Sequence, residues 1–185
     1  MRLLPLVLSL AAATATASAQ TTWHNLHFGE SRDDVTNQLT NQNMPSTSTQ
    51  DGNLQANSDY DLYLPGLRYP LPMIVTVHFD DHAALTDITL ALNLTSARRS
   101  LPSTPSTSSD DALLHFAAEH FTAALSGRYG PPLYSSNSCD TEAKQASTFC
   151  IVSWRTADQT IELERTITLK GPRLLIRYQP LATDL

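Results

Sequence analysis

The sequence predicts an α+β fold of two halves, each a helix followed by an antiparallel meander, with the helices packed on one face of the sheet or sheets. Three observations predict it. Serine-capped helix starts with paired aspartates occur at Ser31 and Ser109. Apolar alternation at period two runs through residues 73–79 and 86–94, and again through 150–154, 161–169 and 174–178. A Ser- and Pro-rich stretch at residues 96–109, with almost no apolar side chains, lies between the two patterns. The expected organisation is therefore a signal peptide at 1–19, a first half at 20–95, a linker at 96–109 and a second half at 110–185.

The chain opens with a short export signal. Arg2 supplies the positive n-region, Leu3 to Ala13 the apolar stretch, and Ala17-Ser18-Ala19 a small-residue cleavage site before Gln20. The apolar run is shorter than the ~20 residues that a spanning helix needs, so no membrane insertion is expected after cleavage. Gln20 and Thr21 stand where a lipid-attachment cysteine would be, so no lipid anchor is expected. The compartment is periplasmic or secreted. Formal net charge is -6, and lysine occurs only at 144 and 170, which excludes the basic clusters that nucleic acid or anionic lipid would demand.

In the first half, Ser31 caps a helix with Asp33 and Asp34 in its first turn and Val35 and Leu39 at helical spacing, fading near residues 41–43. The polar stretch 45–58 reads as loop. Strands follow at residues 60–64, 73–79 and 86–94. The last two are joined by a bend short enough for an antiparallel hairpin. In the second half, Asp110 and Asp111 open a helix whose Leu113, Phe116, Ala117, His120, Phe121, Ala124 and Leu125 share a face. Tyr129-Gly130-Pro131-Pro132 stops it. Matching the apolar faces of the last three strands pairs Trp154 with Ile161 and Leu169 with Leu174. That register sets Thr166 opposite Arg177, with Glu164 diagonal to it. Arg165 then opposes Tyr178 near a sheet end, its stem packed and its head in water.

Cys139 and Cys150 are the only cysteines, and in an oxidising compartment they read as a disulfide. Closing so short a loop stabilises by about 2.5–3 kcal/mol in the chain-entropy description. Other chemistry is sparse. No nucleophile elbow, phosphate loop or dinucleotide fingerprint is present. His115, Glu119 and His120 resemble a zinc-peptidase helix only superficially, since five residues turn a helix by about 140° and leave the two histidines pointing apart. His115 and Glu119 read instead as an exposed pair, His120 as a hydrogen-bonded packing residue, and His24 and His27 as surface or packing residues. His78, Asp80, Asp81 and His82 form the densest set of possible metal ligands, at a hairpin bend where turn chemistry also selects aspartate. The main expectation is no catalytic residue, no metal and no cofactor. The alternative is a metal-dependent hydrolase built on that bend.

At Phe28-Gly29-Glu30-Ser31-Arg32-Asp33-Asp34-Val35 the chain resembles the opening of tandem modules in bacterial envelope proteins of the SmpA/OmlA (BamE-like) and beta-lactamase-inhibitor-protein-like type. There a capped helix leads into an antiparallel meander, and Tyr129-Gly130-Pro131-Pro132 stands in the closing position of a second, degenerate copy. The resemblance implies a repeated α+β layout. Together with the residues it leads us to expect an exported, non-enzymatic module that binds another protein or an envelope component. The contact residues expected are the wet sheet face, with Ser153, Glu162, Glu164, Thr166 and Arg177, and the aromatic segment of Tyr60, Tyr63 and Tyr69.

Overall fold

A computed structural model describes residues 23–60, 71–100, 109–136, 149–168 and 171–181. The α+β class and the antiparallel sheet are both present: among the described residues, three helices accompany one eight-stranded sheet of order β1-β2-β3-β4-β8-β7-β6-β5. The strands are β1 (Ser46–Ser48), β2 (Leu54–Tyr60), β3 (Leu71–Phe79), β4 (Leu85–Leu92), β5 (Tyr134–Ser135), β6 (Phe149–Arg155), β7 (Gln159–Thr168) and β8 (Gly171–Pro180). The helices are α1 (Arg32–Asn41), α2 (Leu94–Ser100) and α3 (Asp110–Tyr129). The two meanders meet where β4 pairs with β8, from Ile88 opposite Tyr178 to Ala91 opposite Leu175. One continuous sheet results, and both of its edges are very short strands, which limits edge-to-edge pairing with other chains.

The helix ends form as capping rules dictate. Ser31 Oγ accepts from the Asp34 amide at 3.2 Å, and Ser109 Oγ accepts from the Ala112 amide at 3.1 Å. Gly130, at φ 86°, ends α3, and its amide donates to the Ser126 carbonyl at 2.9 Å. Trp23 and Leu26, ahead of α1, are fully buried in a turn.

Period-two alternation builds the inner face. Leu54, Val77, Ile88, Tyr178, Ile161 and Trp154 lie side by side across six strands, and the next inner row runs Ala56, Val75, Leu90, Ile176, Leu163 and Val152. These side chains join Val35 and Leu39 of α1 and Leu113, Leu114, Ala117, Phe121 and Leu125 of α3 in one hydrophobic cluster. Each fully buried aliphatic or aromatic side chain contributes about 1.5–3 kcal/mol. Helix α3 lies against β6, β7 and β8, α2 against β3, and α1 against β1.

Four expectations need correction. The stretch 45–58 is not loop, because β1 and most of β2 lie in it. Leu54, Ala56 and Ser58 are buried in alternation, and a hairpin through Gly52, at φ 78°, joins the two strands. Polar composition concealed a strand that forms through its pairing with β3. Residues 96–100 of the expected 96–109 linker are helical, as part of α2, and Leu94 starts that helix rather than ending a strand, because the Asn93 side chain accepts from the Ser96 amide at 3.1 Å and caps it. The β7–β8 register is offset by four residues from the expected one: Arg165 opposes Leu174, Glu162 opposes Arg177, and Thr168 opposes Gly171. A four-residue offset preserves which face each side chain takes, so both registers satisfy the apolar pattern. The observed one pairs all ten residues of each strand, with Gly171, at φ 110°, opening β8.

The fourth correction concerns Arg165. It is not at a wet sheet end but on the inner face, 8% exposed, where its Nη1 donates to His115 Nδ1 at 3.0 Å. A guanidinium only donates, so Nδ1 accepts and the imidazole hydrogen sits on Nε2, 3.3 Å from Glu119 Oε1. The expected His115–Glu119 pair is therefore also a strut between α3 and β7. His120 does pack as expected, its Nδ1 2.7 Å from the Phe116 carbonyl and its ring 4.3 Å from that of Phe116.

Candidate interaction face

The outer face of the sheet is built from the residues between the inner rows. One outer row runs Gln55, Thr76, Thr89, Arg177, Glu162, Ser153 and Tyr134. The adjacent one runs Asn57, Ile74, Ala91, Leu175, Glu164 and Ile151. The second row is apolar at its centre. Leu175 is only 3% exposed yet stands outside the core cluster of the inner face. Toward the β5–β6 edge the apolar surface becomes accessible, with Leu133 72%, Tyr134 56% and Phe149 45% exposed. Tyr134 is opposite Ser153, and Phe149, Ile151 and Ser153 point to the same side because they alternate along β6. Hydrogen bonds hold this edge: the Leu133 amide donates to the Ser153 carbonyl at 2.8 Å, and the Ser136 amide to the Ile151 carbonyl at 2.9 Å.

The charges of this face hold one another. Asp87 accepts from the Thr89 hydroxyl and from Gln179 Nε2, each at 3.0 Å. Arg177 Nε is 3.7 Å and His78 Nε2 3.8 Å from the two oxygens of the same carboxylate. Arg177 is thus tied to Asp87 as well as standing opposite Glu162, rather than opposite Thr166. This network fixes polar side chains at one border of the apolar row and leaves the row itself without charge except at Glu164.

The other expected positions fall as follows. Glu162, Glu164 and Arg177 share the outer face. Tyr60 ends β2 opposite Leu71, whereas Tyr63 and Tyr69 lie outside the described residues. Cys150 is buried on the inner side of β6 and is not a free cysteine, and Cys139 lies outside the described residues. The bend ligands are not brought together. His78 belongs to the Asp87 network, while Asp80 Oδ1 accepts from the His82 and Ala84 amides, each at 2.9 Å. The Ala84 amide above all, with the His82 amide, holds the Asp80 carboxyl below its ordinary range, and Asp81 and His82 are exposed. Among the described residues, no group of three or more His, Cys, Asp or Glu side chains could hold a metal ion. None of the helices described is long and apolar enough to cross a membrane.

No protein-family model, curated protein or solved structure matches the chain. The face therefore has to be read from its own chemistry. Sequence reasoning missed its apolar part: Ile74, Ala91, Leu175, Ile151, Tyr134 and Phe149. A signal existed in Leu174-Leu175-Ile176, since three consecutive apolar residues in a strand place at least one on the face opposite the core.

Proposed function

We propose that the chain is an exported, non-enzymatic module that binds another protein or an envelope component through the outer face of its sheet. The observation that carries this reading is the exposed apolar patch at the β5–β6 edge, where Leu133, Tyr134 and Phe149 adjoin Ile151 of the outer face. Exposed aromatics beside polar residues such as Ser153 and Glu162 have the anatomy of an interface: an apolar centre with a polar rim. Two aromatic rings and a leucine in solvent are also a liability unless something covers them.

The rest of the reading follows from the sequence. The export signal delivers the domain to the periplasm or the exterior, and Cys139 joins Cys150 there as a structural disulfide. The two meanders, with their helices on one face, are a degenerate tandem of the SmpA/OmlA or beta-lactamase-inhibitor-protein-like kind, and residues 96–109 mark the boundary between them. Tyr60, Tyr63 and Tyr69 form a second contact region.

The test is affinity capture from an envelope extract with the wild-type chain and with Tyr134→Ala, Phe149→Ala and Leu133→Ser variants whose melting is unchanged. The expected result is a specific partner held by the wild type and lost from the outer-face variants. Equal capture by all of them overturns the assignment of this face. Undiminished capture by Tyr63→Ala and Tyr69→Ala removes the second region.

A further inference from the structure

Trp23, the first described residue, is 1% exposed, and Leu26 is fully buried. The turn between them is closed by the Leu26 amide, which donates to the Trp23 carbonyl at 3.0 Å. It is tied to the end of α1 by Gln42 Nε2, which donates to the His24 carbonyl at 2.7 Å. His24 and Asn25 hold φ at 49° and 63°, so these bonds and the burial of Trp23 keep the turn in a region that such residues seldom occupy. Cleavage after Ala19 leaves three residues, Gln20-Thr21-Thr22, ahead of that anchor. Three residues span at most about 10 Å. The new chain end is therefore a glutamine on a short leash to the core.

Glutamine at an amino terminus carries a reaction that it cannot undergo inside a chain. While Gln20 is joined to Ala19, its backbone nitrogen is an amide and is not nucleophilic. Once that bond is cut the same nitrogen is an amine, which titrates at about pH 8 and so has an unprotonated fraction at neutral pH. Attack on Cδ of its own carboxamide closes a five-membered ring, and a reaction within one residue needs no encounter step. The amine nitrogen bonds to Cδ, the bond from Cδ to Nε2 breaks, and Nε2 leaves as ammonia with a hydrogen taken from the amine. No oxidant, reductant or other reactant is required.

We propose that Gln20 is a modification site, which cyclises to pyroglutamate after export and closes the amino terminus of the mature chain. The inference rests on the export reading above and is independent of the outer face. The lactam has neither the free amine nor the charge that an aminopeptidase recognises. Trimming is thus stopped ahead of the residues that lead to the buried Trp23, at the kind of chain end where proteolysis concentrates.

The experiment expresses the full chain in an exporting bacterial host and records the intact mass of the processed protein, at once and after incubation at neutral pH. The amino-terminal tryptic peptide, which ends at Arg32, is then sequenced by mass spectrometry. The expected protein spans residues 20–185 and is lighter than its amine-ended form by one ammonia, with conversion complete after incubation. Removal of the lactam by pyroglutamyl aminopeptidase should expose Thr21. Gln20→Ala should keep a free amine and lose residues to a broad aminopeptidase that leaves the wild type intact. A chain that begins at Gln20 and retains its amine after incubation overturns the cyclisation and leaves the export reading standing. A chain that begins at Met1 or at any other residue overturns the cleavage reading, and the modification with it. Equal trimming of the wild type and Gln20→Ala overturns the protective role.

Discussion

Replacing His115 with alanine isolates the strut between α3 and the sheet. In the wild type the buried Arg165 guanidinium donates to His115 Nδ1 at 3.0 Å, and the only carboxylate in reach of that imidazole is Glu119 at 3.3 Å from Nε2, among the described residues. His115→Ala removes the acceptor and leaves a charged donor at 8% exposure without it. Loss of a hydrogen bond to a charged group costs about 1.5–3 kcal/mol. The exposed contact with Glu119 adds about 0–1 kcal/mol. Alanine is the better helix former by about 0.5 kcal/mol, which offsets part of this. The expected net loss is about 1–3.5 kcal/mol, or a fall in Tm of about 2–14 °C for a chain of this size. Arg165→Met acts differently, because it removes the buried cation together with its need for a partner, so its own effect is about 1 kcal/mol or less in either direction. In the Arg165→Met background the further change His115→Ala should then cost little. Urea unfolding of the four proteins at neutral pH completes the cycle, with a coupling of about 1–2 kcal/mol expected. Additivity to within about 0.5 kcal/mol would refute the strut, and so would a His115 ring whose nitrogen shifts place the hydrogen on Nδ1.

Three further outcomes test other parts of the fold. Asp80 has a depressed folded pKa from the Ala84 and His82 amides, so its stabilising contribution is complete above the ordinary value of 3.8 and is lost as pH falls through the lower folded value. Asp80→Asn should flatten the acid limb of the melting profile there, and an unchanged limb contradicts the bend geometry. Gly171→Ala meets no neighbouring atom but holds φ at 110°, so backbone strain alone should destabilise it by about 1–3 kcal/mol in denaturant unfolding. A neutral result would mean that Gly171 does not hold this φ. Ser109→Ala deletes the cap that accepts from the Ala112 amide and should cost about 0.5–2 kcal/mol, while Ser109→Asp should retain most of the stability on the same measurement.

The parts of the fold legible in the sequence are those with local causes. Caps at Ser31 and Ser109 and the glycine exit at Gly130 set α1 and α3 within a residue or two, because the orphan amides and carbonyls of a helix end need nearby partners. Alternation in Met73 to Phe79 fixed β3 for a similar reason. β2 was opaque, since Gln55, Asn57 and Ser58 have no preference for strand and only the ladder to β3 makes one. The offset in β7–β8 was opaque as well, because parity distinguishes odd from even shifts but not zero from four. At the site, Glu162, Glu164 and Arg177 were assigned to the right face by parity alone, whereas Tyr134 belongs to a strand of two residues, too short to show a period, and Phe149 stands one residue ahead of the alternation read from Cys150 to Trp154.

The outer face shows why these two kinds of information diverge. An antiparallel sheet with one covered face should read as apolar in and polar out, and β3 and β6 come close to that reading. β8 does not: Leu174 and Ile176 face the core, and Leu175 between them must face away. Leu175 is itself covered, at 3% exposure, but Ile74, Ala91 and Ile151 place half-buried apolar side chains on the same face of β3, β4 and β6. Local propensity alone cannot account for the repetition, because threonine satisfies a strand equally well and occupies the neighbouring row at Thr76 and Thr89. A row that is apolar on four separate strands, and leads to exposed aromatics at one edge, is the pattern expected when a second surface must be matched. That makes Ile151→Glu the most economical discriminator, because Ile151 is half-buried beside the exposed edge whereas Leu175 is already covered. As a purely intramolecular packing residue its loss should appear in stability; as part of an interface, it should abolish capture by more than stability can explain.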